Sequence, residues 1–116
     1  MMRCDWDYDD AEDSLFLSLG KSSESVELRE GVILDLDKAG KVVGLELFDA
    51  SRLFRALGSG GVTKKDLKTL SEVSVSFTRW RHYFVIELEL RGARQLKEKL
   101  TIPAADGQSE LLAAVA

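Results

Sequence analysis

Polar and apolar residues alternate one for one through most of this chain. A period of two places alternate side chains on opposite faces of an extended strand. Cys4, Trp6 and Tyr8 alternate with Arg3, Asp5 and Asp7. Leu15, Leu17 and Leu19 follow the same rule, then Val26 and Leu28, then Val32, Leu34 and Leu36. In the second half, Val73, Val75 and Phe77 alternate with Ser74, Ser76 and Thr78, and Phe84, Ile86, Leu88 and Leu90 with Val85, Glu87 and Glu89. The helical period is nearly absent. The pattern predicts an α+β fold: mainly an antiparallel β-meander sheet, one or two short helices packed on one face, and a strand-rich C-terminal extension.

The punctuation between these runs agrees. Asp9, Asp10, Glu12 and Asp13 suit a turn, because short carboxylates bond their own backbone. Asp37-Lys38-Ala39-Gly40 closes a hairpin, with Gly40 supplying the left-handed position such loops need. Beyond it Val43, Leu45 and Leu47 are expected on one face and Val42, Gly44, Glu46 and Phe48 on the other. Asp49 is placed to cap a short helix from Ala50 to Leu57, with Leu53, Phe54 and Leu57 as its stripe. Thr63-Lys64-Lys65-Asp66 reads as a capping box for one or two further turns. Residues 96–102 suit a last strand, with a helix over 94–99 as the competing reading, and Pro103 stops either. The organisation predicted is a strand-rich unit over 1–57, a Gly-rich linker over 58–62, a C-terminal β-meander over 63–103 and a tail over 104–116. That tail is either frayed or a short helix docked through Leu111, Leu112 and Val115. The whole is expected to form one compact domain.

Composition narrows the class. At 116 residues the chain can bury a real core, and 45% apolar with 31% charged residues is globular usage. One cysteine, Cys4, leaves no intrachain disulfide and no CxxC metal site. No apolar run reaches membrane-span length, and the charged start is not that of a secretory signal. A net charge of −4 disfavours general nucleic-acid binding. A cytoplasmic location is expected, with no membrane association.

Two blocks carry a family resemblance. The first is Tyr8-Asp9-Asp10-Ala11-Glu12-Asp13-Ser14-Leu15-Phe16-Leu17. The second runs Gly31-Val32-Ile33-Leu34-Asp35-Leu36-Asp37, then Gly40-Lys41-Val42-Val43-Gly44-Leu45-Glu46-Leu47, and ends in Asp49-Ala50-Ser51. Together, over residues 8–51, they resemble the small YuzE-like domains of unknown function (domain of unknown function 2283). Glu12 stands where that family usually has alanine, and Phe48 where it has an aliphatic residue; the hydrophobic pattern survives both. The resemblance implies a compact β-meander with a helix and no established activity. Some relatives look like the partner half of toxin–antitoxin-type pairs, which hints at an antitoxin-like class. The C-terminal half lies outside it.

Candidate chemistry concentrates in four acids and one turn. Asp9, Asp13, Asp35 and Glu46 form a candidate carboxylate cluster. An EF-hand started at Asp5 fails, with Asp10 where glycine belongs and Phe16 where the closing glutamate belongs. Asp9 and Asp13 read most simply as turn caps. Glu46 shares its face with Val42 and Phe48, so burial would raise its pKa unless Arg29, Arg52 or Arg55 pairs with it. His82 is the only histidine, without metal-ligand spacing. The Gly58 to Lys64 stretch lacks P-loop spacing. Arg79, Trp80, Arg81 and Tyr83 form the only basic-aromatic cluster and a candidate interface.

These features lead to a non-catalytic protein-interaction or oligomerisation module, with no cofactor and no metal. Exposed strand edges predict a homodimer, and a protein partner is the other expectation. One rival reading is a small metal-dependent or carboxylate-based hydrolase built on the four acids. Another is nucleic-acid contact through residues 79–83.

Overall fold

The structure is a computed structural model and describes residues 1–58 and 61–115. Among these residues the strands are β1 (Met2–Asp9), β2 (Ser14–Ser18), β3 (Glu24–Arg29), β4 (Val32–Leu36), β5 (Val42–Leu47), β6 (Glu72–Trp80), β7 (Tyr83–Arg91) and β8 (Gln95–Pro103). The helices are α1 (Ala50–Leu57), α2 (Lys64–Lys68) and α3 (Ser109–Ala114). All strand pairs are antiparallel, in one sheet of order β3-β4-β5-β2-β1-β6-β7-β8. The α+β architecture is the one the alternation predicts, with three short helices rather than one or two. The competing helix over 94–99 does not form, because Leu96, Leu100 and Ile102 pack inward as strand residues opposite Leu90, Ile86 and Phe84.

β1 joins the two halves. Residues 5–9 pair with β2, from Asp5 opposite Ser18 to Asp9 opposite Ser14. Residues 2–4 pair with β6, from Met2 opposite Val75 to Cys4 opposite Val73. The C-terminal strands therefore extend the N-terminal sheet. That sheet twists, as antiparallel sheets do, and its ends approach each other. The Gln108 side chain, beyond β8, donates to the Glu27 carbonyl of β3 at 3.3 Å.

The core lies inside this curl. Leu15, Leu17, Leu34, Leu45, Leu47, Val73, Val75, Phe84, Ile86, Leu88, Leu90, Leu100 and Ile102 belong to one buried cluster. Phe54 of α1, Leu67 of α2 and Leu112 of α3 close it. Each fully buried side chain of this kind is worth about 1.5–3 kcal/mol against exposure. The tail is thus a docked helix, seated on Leu112 and Val115, with Ala116 outside the described residues.

One face assignment needs correcting. Val43 was expected beside Leu45 and Leu47, yet Val42 joins their core cluster and Val43, though also buried, packs outside it. Asp35 pairs with Gly44 while Leu36 pairs with Val42, so the register shifts between them. This bulge adds a residue to β5 and turns its first positions over.

Of the glycine stretch over 58–62, Ser59 and Gly60 lie outside the described residues. On either side the chain is packed. A Cβ on Gly58 would fall 2.6 Å from Glu98 Oε2, and Val62 is buried. The expected capping box is present at α2. Thr63 Oγ1 accepts from the Asp66 N–H, and Asp66 Oδ2 accepts from the Thr63 N–H at 2.9 Å. Arg94, in the β7–β8 turn, donates to the same carboxylate and to the Gly61 carbonyl. The Arg94 guanidinium, ahead of the Thr63 bonds, holds the Asp66 carboxyl well below its ordinary range.

Candidate functional site

Asp13 is buried at the end of the β1–β2 turn with φ 51°, a left-handed position that aspartate tolerates. Its backbone carbonyl accepts from the Ala50 N–H at 2.8 Å. Its carboxylate accepts from the Ser51 N–H at 3.2 Å, from the Ser51 hydroxyl at 2.6 Å and from the Tyr8 hydroxyl at 2.5 Å. Asp13 thus caps α1 from a distant part of the chain. Asp49 was the expected cap; it makes no side-chain cap bond, and its carboxylate instead lies 3.8 Å from Arg52. Burial, followed by the bond to Asp13, pushes the Tyr8 phenol above its ordinary range. Asp9 does act as a turn acceptor, taking the Glu12 N–H at 3.2 Å.

Asp35 and Glu46 meet on the opposite, outer face of the β4–β5 ladder. Gly44 makes this possible. A Cβ there would lie 2.8 Å from Asp35 Oδ2 and 2.9 Å from the Leu17 carbonyl, so only glycine leaves room for the carboxylate. Ser25 donates to Asp35 Oδ1 at 2.7 Å. Glu46 sits in register between Phe16 of β2 and Ile33 of β4. Its pKa rises from 4.5 to about 7, chiefly through a hydrogen bond shared with Asp35, then through desolvation and the Asp35 charge. An acid rather than Arg29, Arg52 or Arg55 is therefore its partner.

Folded Glu46 holds its proton more tightly than unfolded Glu46, so its stabilising effect is complete below about pH 4.5 and is lost as pH rises through about 7. Solvent screening at this partly exposed site limits the loss to about 1 kcal/mol. Urea unfolding at about pH 5 and about pH 8 should show that decline in the native chain. Glu46→Gln should flatten it, because an amide donates to Asp35 at either pH. An equal decline in both proteins would count against the shared proton.

The remaining candidates lie at the β6–β7 tip. Pairing continues to Trp80 opposite Tyr83, leaving Arg81 and His82 as a two-residue turn. Arg81 has φ 56°, and its guanidinium carbon lies 4.6 Å from the centre of the Trp80 ring. The Trp80 and Tyr83 ring centres are 5.9 Å apart with planes inclined by 30°. Trp80 is 57% exposed and Tyr83 36%. Trp80, Arg81 and Tyr83 thus form one exposed stack. Arg79 falls on the other face, opposite Phe84.

Over the first half Tyr8, Asp13 and Ser51 close on each other, and Asp35 lies opposite Gly44. Residues 6–51 match the model of a family described as "Protein of unknown function (DUF2283)". No curated protein and no solved structure matches the chain.

Inside the matched segment, the four sequence-derived acids divide by place. Asp13 is committed to α1, Asp9 to its turn, and only Asp35 and Glu46 adjoin. Among the described residues no group of three or more His, Cys, Asp or Glu is arranged to hold a metal. The aromatic stack lies outside the matched residues, on the C-terminal strands. Sequence reasoning grouped Asp35 with Glu46 but gave Glu46 an arginine partner, although a glycine in mid-strand is a signal of close approach. No described helix is long and apolar enough to cross a membrane.

Proposed function

We propose that this chain is a non-catalytic protein-interaction module whose contact surface is the β6–β7 hairpin. The exposed stack of Trp80, Arg81 and Tyr83 carries the reading. Trp, Tyr and Arg are the residues most often found at binding hot spots. Here they are already stacked on a rigid hairpin, which lowers the ordering cost of binding. An antitoxin-like role, in which a small fold sequesters a partner by its surface, is one form of this reading. The hydrolase reading needs its acids in one pocket, and the division of Asp13 from Asp35 and Glu46 gives it no support.

A photo-crosslinking residue at Tyr83, introduced in cells that make the protein, tests the proposal. Protein adducts should form there, should be absent from the same residue placed at the exposed Lys64, and should be lost with Trp80→Ala. Adducts at Tyr83 no stronger than at Lys64, or adducts that nuclease removes, would overturn it.

A further inference from the structure

We infer that the cleft between the β3–β4 turn and the start of α1 takes a bulky apolar side chain of a partner protein whose flanking residues are lysine or arginine. The cleft has a volume of about 640 Å³, inside the range of about 300–1,000 Å³ usual for binding sites. Its apolar lining is Ile33 of β4, Phe48 just beyond β5 and Leu53 of α1. Its acidic lining is Glu27, Glu30 and Asp49, and its basic lining is Arg29 and Arg52. None of these residues belongs to the β6–β7 hairpin, so this is a second surface, beyond the one proposed above.

The walls of the cleft are held in place by the fold. The Phe48 N–H donates to the Gly31 carbonyl at 2.9 Å, which ties the β3–β4 turn to the entry of α1. Gly31 sits at φ 84°, and a Cβ there would lie 3.1 Å from the Phe48 carbonyl oxygen and 3.4 Å from Leu53 Cδ1. Glycine therefore lets the turn close on the helix. Phe48 is 38% exposed, yet it packs edge-on against Phe16, with ring centres 5.9 Å apart and planes at 86°. An aromatic wall that is already positioned loses little freedom when an apolar side chain docks on it.

Charge selects the occupant. Asp13 caps α1, which leaves the Asp49 carboxylate at the cleft unused by the helix. Among the described residues Glu27, Glu30 and Arg29 make no ion pair, and Arg52 has only Asp49, at 3.8 Å. The outer sheet face that leads away from the cleft is acidic too. Glu27 stands opposite Ile33, Ile33 opposite Glu46 and Glu46 opposite Phe16, so acids and apolar side chains alternate from strand to strand at about 4.8 Å. Asp35 adjoins Glu46, and β2, β4 and β5 contain no lysine or arginine. A segment anchored in the cleft thus meets more carboxylates than guanidinium groups, which favours basic flanks and disfavours acidic ones. The β6–β7 hairpin of a second copy is basic and aromatic, but copies of net charge −4 repel one another, so a different protein is the better occupant.

The test is a nuclear magnetic resonance titration of the full chain with three short synthetic peptides. The first has two central leucines flanked by lysines, the second replaces its leucines with serine, and the third replaces its lysines with glutamate. The lysine–leucine peptide should shift the amide signals of Gly31, Ile33, Phe48 and Leu53 in a saturable manner. Either replacement should weaken binding by about tenfold or more. Glu27→Lys with Glu30→Lys should weaken the lysine–leucine peptide by about tenfold as well, with the urea midpoint unchanged because both side chains are exposed. Equal binding by the serine or the glutamate peptide, shifts confined to residues 79–83, or no saturable shift with the lysine–leucine peptide would overturn the inference. Concentration-dependent shifts at Gly31, Phe48 and Trp80 without peptide would assign the cleft to the hairpin of a second copy and overturn it too.

Discussion

Asp13→Ala should destabilise the fold by about 3–4 kcal/mol, read as a lower urea midpoint with unchanged slope. Three donors lose their acceptor: the Ser51 N–H, the Ser51 hydroxyl and the Tyr8 hydroxyl. A donor left unsatisfied in a buried site costs about 1–3 kcal/mol, and a lost helix cap costs about 1. Alanine also tolerates φ 51° less well than aspartate, adding about 1 kcal/mol. These terms overlap, because Ser51 and Tyr8 can recover part of their bonding from water once α1 loosens. Asp13→Asn keeps an acceptor and the backbone preference, so it should recover roughly half of the loss. Domain stability is about 5–15 kcal/mol, so the alanine variant removes a large share. A change below about 1 kcal/mol would mean that water already satisfies this network.

The same residue shows what a sequence can and cannot reveal. Asp13 was visible as one acid among several, and its local reading was a turn cap. Its actual partner, Ser51, is 38 residues away, and local capping rules pointed to Asp49, which adjoins the helix. Alternation revealed the strands because burial of one face imposes a period of two wherever the sheet lines a core. It could not reveal the Val42–Val43 inversion, since a bulge changes the register without changing the pattern. Glu46 was legible as a desolvated acid from Val42 and Phe48; the bulge takes Val42 away from that face, and Phe16 and Ile33 are the cross-strand neighbours of Glu46. Its partner depended on the Asp35–Gly44 pairing across the ladder. The exposed tip was legible from Arg79 to Tyr83 because basic and aromatic residues cluster there.

Gly92→Ala should cost about 3 kcal/mol, a loss comparable to that at Asp13, for a reason of space alone. A Cβ on Gly92 would lie 2.3 Å from the Thr69 carbonyl oxygen and 2.8 Å from its carbon, with Leu70 Cα at 3.1 Å. All three are backbone atoms, so no side chain can swing aside. Overpacking of this kind costs about 1–3 kcal/mol, and more where backbone must move. The two segments are also tied where the methyl would push. The Ser71 N–H donates to the Arg91 carbonyl at 2.7 Å, and Arg94 clamps Asp66 a turn away. Separating them would stretch the Arg94–Asp66 pair, and that pair keeps the Asp66 carboxyl ionised at low pH. A depressed folded-state pKa gives stability that is present above the unfolded value and lost as pH falls. Gly92→Ala should therefore lose more of its stability at neutral pH than under strongly acidic conditions, where Asp66 is protonated in both proteins. Asp66→Asn should add less in the Gly92→Ala background than in the native chain, because both act on one contact. Full additivity would show that the methyl is accommodated without moving the β7–β8 turn, and that Gly92 and Arg94 serve α2 independently.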